Sequence, residues 1–315
     1  MEKPSLLHYL KEIQARSLIK TIGMKKFIIY IFLMLPVITN AQDTKIGVRA
    51  GLNYSWFTGA KEVGETFSAS NGFHFGINYS YYFNQFFGLR AEILYNQRGN
   101  TQNYQGDGYY IMRRGLDRIV DFGTVEDFKL DDSNAYLSLP ISASIQVTPK
   151  FEMYGGISFD FLVSPSGTGV LDYTSNVDIE GEYQVFFTQS FDNSYYSDVA
   201  GGLPDFSSGT IAMIVDGDRL DIPQISAAYY LLDEKDGNKY KWYDFSVHLG
   251  TNYFLNRGFF VGANLNYGLI DLTRNEMDIS IREINNTDNF TDDSYIRRDD
   301  SDHQLSIHVS MGFRF

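Results

Sequence analysis

The chain has 315 residues, 26 Lys and Arg against 39 Asp and Glu, and a formal net charge of −13, an acidic balance that excludes a nucleic-acid partner, whose phosphates demand basic surface. Aromatics make up 16%, with 25 Phe and 23 Tyr but only 2 Trp, while mean hydropathy is −0.23, too polar for a bundle of membrane-spanning helices. Cysteine is absent, which excludes a disulfide framework, a thiolate zinc site, a cysteine nucleophile and a lipidated N-terminal cysteine.

The first element is a targeting segment. From Met24, Lys25 and Lys26 precede an apolar run of 11 residues, Phe27 to Val37, and Thr39-Asn40-Ala41 supplies small residues at a cleavage site. Spanning a bilayer takes about 20 residues as a helix, so this run is too short to be an anchor. Residues 24–41 read as a Sec-type signal peptide, residues 1–23 as an upstream extension, and 42–315 as the exported domain. Without residues 1–41 the chain keeps 20 basic and 37 acidic residues, net −17.

Strict two-residue alternation then recurs eight times. Residues 46–56 put Ile46, Val48, Leu52, Tyr54 and Trp56 on one face and Arg49, Gly51, Asn53 and Ser55 on the other. Runs of the same kind cover 73–83, 87–96, 137–147, about 151–164, 242–254, 259–269 and 304–315. A period of two places successive side chains on opposite faces of a strand.

Two features turn these strands into a transmembrane barrel. Links of a few residues alternate with long ones, about 58–70, 99–134, 165–241 and 273–302, as when short turns face the periplasm and long loops face outward. The apolar face carries large residues with aromatics near the strand ends, while the other face is Gly, Ser, Asn and a few charges, too polar for a sandwich core. In a bilayer only a closed barrel satisfies every backbone N–H and C=O of a sheet. The expected fold is all-β: an eight-stranded antiparallel up-and-down transmembrane barrel with long extracellular loops. "YQVFFTQSF", "TIAMIVDGDRL" and "IPQISAAYYLLDEKDGNKYKWYDF" carry alternation and Asp-Gly turn signals inside 165–241. They predict hairpins projecting above the membrane, with a further membrane hairpin and ten strands as the alternative.

Several stretches resemble the PorT-like, "porin family" group of outer-membrane β-barrel proteins. Gly47, Arg49, Gly51 and Asn53 in "KIGVRAGLNYSWF" are similar to that group's opening strand, and Glu92, Leu94 and Tyr95 to its third. Tyr136, Leu137, Leu139 and Pro140 resemble its Tyr-Leu-x-(Ile/Leu)-Pro strand, "NYGLIDLT" its Tyr-x-x-Gly-Leu pattern, and "GFRF" its closing motif. The resemblance covers the strands but little of the loops, and 165–241 is unusually long for such a barrel. It implies an eight-stranded outer-membrane barrel and no single activity. A terminal Phe after an alternating strand, here Phe313 and Phe315, resembles the signal by which such barrels are recognised by the barrel-assembly machinery.

By parity Arg49, His74, Arg90, Glu92, Glu152, Asp160, His248, His308 and Arg314 point into the barrel, whose interior at eight strands is just wide enough for side chains. Buried charge is tolerated when paired, so these residues read as a hydrogen-bonded plug; a gated narrow pore for small solutes is the alternative. A third reading, a lipid-modifying enzyme of the outer leaflet, would need a Ser–His pair such as Ser55 or Ser70 with His74. No Gly-x-Ser-x-Gly or His-x-x-x-His motif occurs, and neither a catalytic set, a cofactor nor a metal site is assigned. "DEKDGNKYKWYD" fails as a calcium loop, because Gly237 falls at its fifth position. Loop 165–241 holds 13 acidic and 4 basic residues and 273–302 holds 9 and 4. Runs such as Asp292-Asp293 and Asp299-Asp300-Ser301-Asp302 could bind Ca²⁺, which favours several carboxylates; the preferred reading is a solvated outer surface with weak divalent bridging to lipopolysaccharide. The expected function is a surface-interaction or structural module that lies in the lipid bilayer and offers 165–241 to a surface protein or polymer.

Overall fold

The computed structural model describes residues 44–114, 117–175, 186–201, 209–215, 218–285 and 290–315. The signal segment 24–41 and the extension before it lie outside the described residues. Lys45–Phe315 forms one compact unit.

Eight strands form its ring: β1 (Thr44–Thr58), β2 (Ser70–Tyr82), β3 (Phe87–Arg114), β4 (Asp117–Thr148), β5 (Phe151–Ser175), β6 (Tyr243–Phe254), β7 (Phe259–Gly268) and β8 (His303–Arg314). Each pairs with its sequence neighbour, and β1 closes the ring on β8 from Gly47↔Arg314 to Thr58↔His303. The ring therefore has eight strands, not ten. Large apolar residues point outward along it, among them Leu52, Ile77, Ile141 and Leu249. On β4 this outward face runs from Leu137 to Val147. Ten residue steps of about 3.3 Å, tilted about 45°, give a band about 23 Å tall, close to the height of an outer-membrane hydrocarbon core.

The turns at one end are short, and two of them use the same device. Asn84 accepts backbone N–H bonds from Phe86 and Phe87 at 2.8 and 2.9 Å, and Asn256 accepts them from Gly258 and Phe259 at 3.0 and 2.7 Å. These Asx turns reverse the chain within a few residues.

The opposite end departs from expectation. Residues 99–134 are not a loop: β3 and β4 stay paired as one long hairpin out to Arg114↔Asp117. Likewise β5 continues through 165–175 and pairs with Phe186–Asn193. Above the band a strand needs no lipid-facing row, so the outward large-apolar pattern stops while the sheet goes on. Its alternation survives on the other face, where Tyr104, Tyr110, Met112 and Val125 pack with Leu171, Tyr173 and Phe187. The hairpin Thr210–Val215 with Asp218–Pro223 covers this face through Met213, Leu220 and Ile222. The extensions and this hairpin make a β platform standing on the barrel. Its second core, including Phe57, Tyr136, Leu162, Tyr240 and Leu272, caps the barrel mouth.

Candidate functional site

Inward parity along each strand brings the polar residues into stacked rungs. All nine sequence-predicted interior residues are buried. Nearest the short turns, Glu152 accepts from Arg314 at 2.7 and 2.9 Å, from the Tyr82 hydroxyl at 2.9 Å and from Asn252 at 2.9 Å. Arg90 lies 3.5 Å from the same carboxylate, with its guanidinium 3.6 Å from the centre of the Tyr154 ring. One rung up, Glu92 is held by Arg90 at 2.7 Å and by Arg49 at 3.2 Å.

The histidines form the next layer. His74 bonds Asn53 Oδ1 at 2.6 Å and Ser310 Oγ at 3.1 Å, and stacks on His308 with ring centres 5.2 Å apart. The wall must be thin here: a Cβ on Gly51 would lie 2.0 Å from the Val309 carbonyl oxygen and 2.7 Å from the His74 ring. His308 contacts Ser306 Oγ at 3.0 Å and His248 contacts Ser142 Oγ at 2.7 Å. Ser55 does not pair with His74; its hydroxyl donates to the Gly99 carbonyl at 3.0 Å and accepts from the Gly99 N–H at 2.8 Å.

The uppermost rung holds two residues that parity reading missed. Arg98 donates to Asp160 at 3.1 Å, lies 3.5 Å from Asp244, and sits under the Tyr136 ring at 4.3 Å. Asp160 also accepts from Ser158 at 2.7 Å and Ser246 at 3.1 Å. Arg49, Arg90, Arg98 and Arg314 thus face Glu92, Glu152, Asp160 and Asp244, and charge inside the barrel balances one for one. A void among Arg49, Glu92, His248 and His308 in the lumen measures about 20 Å³, the space of a single water.

A larger cavity, about 280 Å³, lies in the platform. Tyrosines 109, 110, 195, 229, 230 and 295 line it, with Gln102, Gln189, Asn193, Lys239 and Asp278 as polar members. Asp132 organises one wall: the Tyr195 and Tyr240 hydroxyls each donate to it at 2.6 Å, and Lys239 lies 3.5 Å away. Burial, then the Asp132 charge, drives both tyrosine hydroxyls well above their usual range, so they remain donors. Burial opposes the Lys239 charge, yet Asp132, Asp278 and Asp302 outweigh it and hold the ammonium above the usual lysine range. Burial pushes the Asp278 carboxyl up to about 7 against the Arg298 charge, and Asp302 up to about 6 against its hydrogen bond from Thr273.

Residues 40–274 match the model of the outer membrane protein β-barrel domain. The chain belongs to that family. The match ends before β8, which closes the ring. Among solved structures the chain is similar to the attachment invasion locus protein Ail of Yersinia pestis, at 10% identity over 87% of this chain and 100% of that one, with a TM-score of 0.33. It is similar to OprG of Pseudomonas aeruginosa at 13% identity over 87% and 96%, TM-score 0.27, and to neisserial surface protein A at 11% over 85% and 95%, TM-score 0.27. No curated protein matches the sequence.

Outer-membrane barrels carry short turns at the periplasmic end and their long connections outside. Here Asp132 secures one wall at the end with the long connections. Asp132→Asn is expected to lose a charged hydrogen bond, about 1.5–3 kcal/mol, from the platform alone. Limited proteolysis should report it: cleavage within 225–241 speeds up about tenfold or more while the ring stays intact.

Proposed function

We propose that this outer-membrane barrel is a surface-binding module, a rigid membrane mount for a platform that receives a surface protein or polymer. The reading rests on one contrast of volume: about 20 Å³ of free space among the barrel charges against about 280 Å³ in the platform. A tyrosine-lined hollow with a few convergent amides and charges has the chemistry of a binding site, apolar faces for contact and polar groups for orientation. The balanced rungs act as a plug that keeps the mount shut and stiff.

The 165–241 segment supplies Gln189, Asn193, Tyr195, Tyr229, Tyr230 and Lys239 to the cavity. The strand motifs support a narrower PorT-like assignment, and the segment 24–41 supports export through the Sec route. Phe313 and Phe315, both exposed at the periplasmic end, are offered to the assembly machinery, and the acidic outer loops to lipopolysaccharide through divalent ions.

Two readouts on one pair of proteins test the binding reading against the pore. The refolded chain and a version with residues 170–235 shortened are compared in a planar bilayer and in binding to polymer and proteins stripped from the cell surface. Neither is expected to give conductance steps, because the rungs fill the barrel without help from the platform. Shortening should weaken surface binding at least about tenfold, the loss of about 1.4 kcal/mol of contact. Steps that appear on shortening would move the function into the lumen, and binding that survives it would remove the platform from the function.

A further inference from the structure

Buried charge is balanced inside the barrel but not at its outer rim. There Asp278, Asp300 and Asp302 each offer a carboxylate oxygen, and the three oxygens lie within 4.8 Å of one another. Asp302 is 3% exposed and Asp278 9%, and the Asp300 side chain is 9% exposed. Arg298 is the cation in contact with two of them, Asp278 and Asp300. Its Nε lies 3.7 Å from Asp278 Oδ2, one terminal nitrogen meets Asp300 Oδ2, and the other is bonded to Glu65 at 3.0 Å. Lys239, the next cation, makes its ion pair with Asp132 and acts on Asp278 and Asp302 only from beyond contact. One guanidinium therefore touches three carboxylates, and Asp302 stands beside them without a cation in contact.

Asp302 is the most exceptional of them. Among the described residues no basic group approaches it within 4.0 Å. Its Oδ2 accepts from Thr273 at 2.7 Å, but its buried Oδ1 has no hydrogen-bond partner, and neither has Asp300 Oδ1. An unpaired buried carboxylate costs several kcal/mol, and this protein avoids that cost at every rung of its barrel. Three carboxylate oxygens gathered this closely suit a hard divalent ion, and an all-oxygen set of uneven side chains suits the flexible coordination of Ca²⁺ better than the strict octahedron of Mg²⁺.

We propose that Asp278, Asp300 and Asp302 form a Ca²⁺ site at the outer rim of the barrel. The ion takes the two orphaned Oδ1 atoms and a carboxylate oxygen of Asp278, while Arg298 keeps the Oδ2 atoms it already touches. It neutralises the surplus carboxylates and fastens the β7–β8 link, which carries all three ligands, beside Glu65 of the β1–β2 link. Asp278 also lines the platform cavity, so the ion stiffens that wall.

The full refolded chain, freed of metal, is dialysed against labelled Ca²⁺, and its thermal unfolding is followed with and without the ion. One Ca²⁺ is expected to bind with a Kd of about 10⁻⁴–10⁻³ M, the range of extracellular modules, and to raise the unfolding temperature. Asp302→Asn and Asp300→Asn should bind at least about tenfold weaker and lose that rise. In chelator Asp302→Asn should unfold at or above the wild-type temperature, because it deletes an unpaired charge; an aspartate with a purely structural role would give the opposite sign. Absence of bound Ca²⁺ at about 10 mM, or equal binding by wild type and both variants, overturns the site. Neither readout uses a surface partner, so either result leaves the binding reading of the platform to its own test.

Discussion

Glu152→Ala is expected to cost the folded barrel about 3–5 kcal/mol, as breaking a buried ion pair from one side does. The carboxylate accepts four hydrogen bonds of 2.9 Å or less, two of them from Arg314, and Arg90 stands 3.5 Å away. Removing it strands the Arg314 guanidinium between the Phe254 and Phe260 rings, at 4.9 and 5.7 Å, with the Tyr82 hydroxyl as its remaining polar contact. Glu152→Gln keeps the shape and two donors' acceptor, and should lose less. Urea unfolding in lipid vesicles measures both; equal midpoints for Glu152→Ala and wild type would mean that the rung is wet and the plug loose.

Arg98→Met is the second large loss, again about 3–5 kcal/mol, for the converse reason. Arg98 is the guanidinium that answers both Asp160 and Asp244, and its own side chain is fully buried. Met fills much of the space but leaves two carboxylates facing each other beneath Tyr136. Adding Asp244→Asn to Arg98→Met should recover part of the loss, because one of the two stranded charges disappears while Asp160 keeps its bonds from Ser158 and Ser246. A double variant no more stable than the single one would show that packing against Tyr136, not charge, is what Arg98 supplies.

Arg98 also marks where the sequence stops being legible. Parity along β3 reads Arg90, Glu92, Leu94, Asn96, Arg98 without a break, but the matching outward row of large apolar residues ends near Tyr95. A boundary drawn at the end of that row leaves Arg98 in a loop, while Asp244 lies inside the run 242–254 on its inward parity and is passed over there. The inward row was the better guide, since it depends on the sheet alone and not on lipid. The barrel was legible because a bilayer imposes one rule on every strand it touches. The platform obeys no such rule: Tyr104, Tyr110 and Val125 are buried by hairpin Thr210–Val215 with Asp218–Pro223, a pairing across chain that no local pattern reveals. Its hairpin signals could be read, but their partners could not. The cavity arises from segments brought together only by such packing, and the cluster of Asp278 with Asp300 and Asp302 from an irregular pairing of Ile279–Ile284 with Tyr295–Arg297 inside one link.

The seam between β1 and β8 has a meaning for the order of events during folding. Thr58 and His303 bond across it although they lie 245 residues apart, while most other ring partners are joined by a short turn or a continuous hairpin. Closing so long a chain segment costs about 3–4 kcal/mol more entropy than closing a four-residue turn, and contacts of that range form slowly. The seam therefore zips last. Until it does, β1 and β8 each present an unpaired edge to whatever strand is nearby, so the time spent open is the interval in which this chain is most exposed to mispairing.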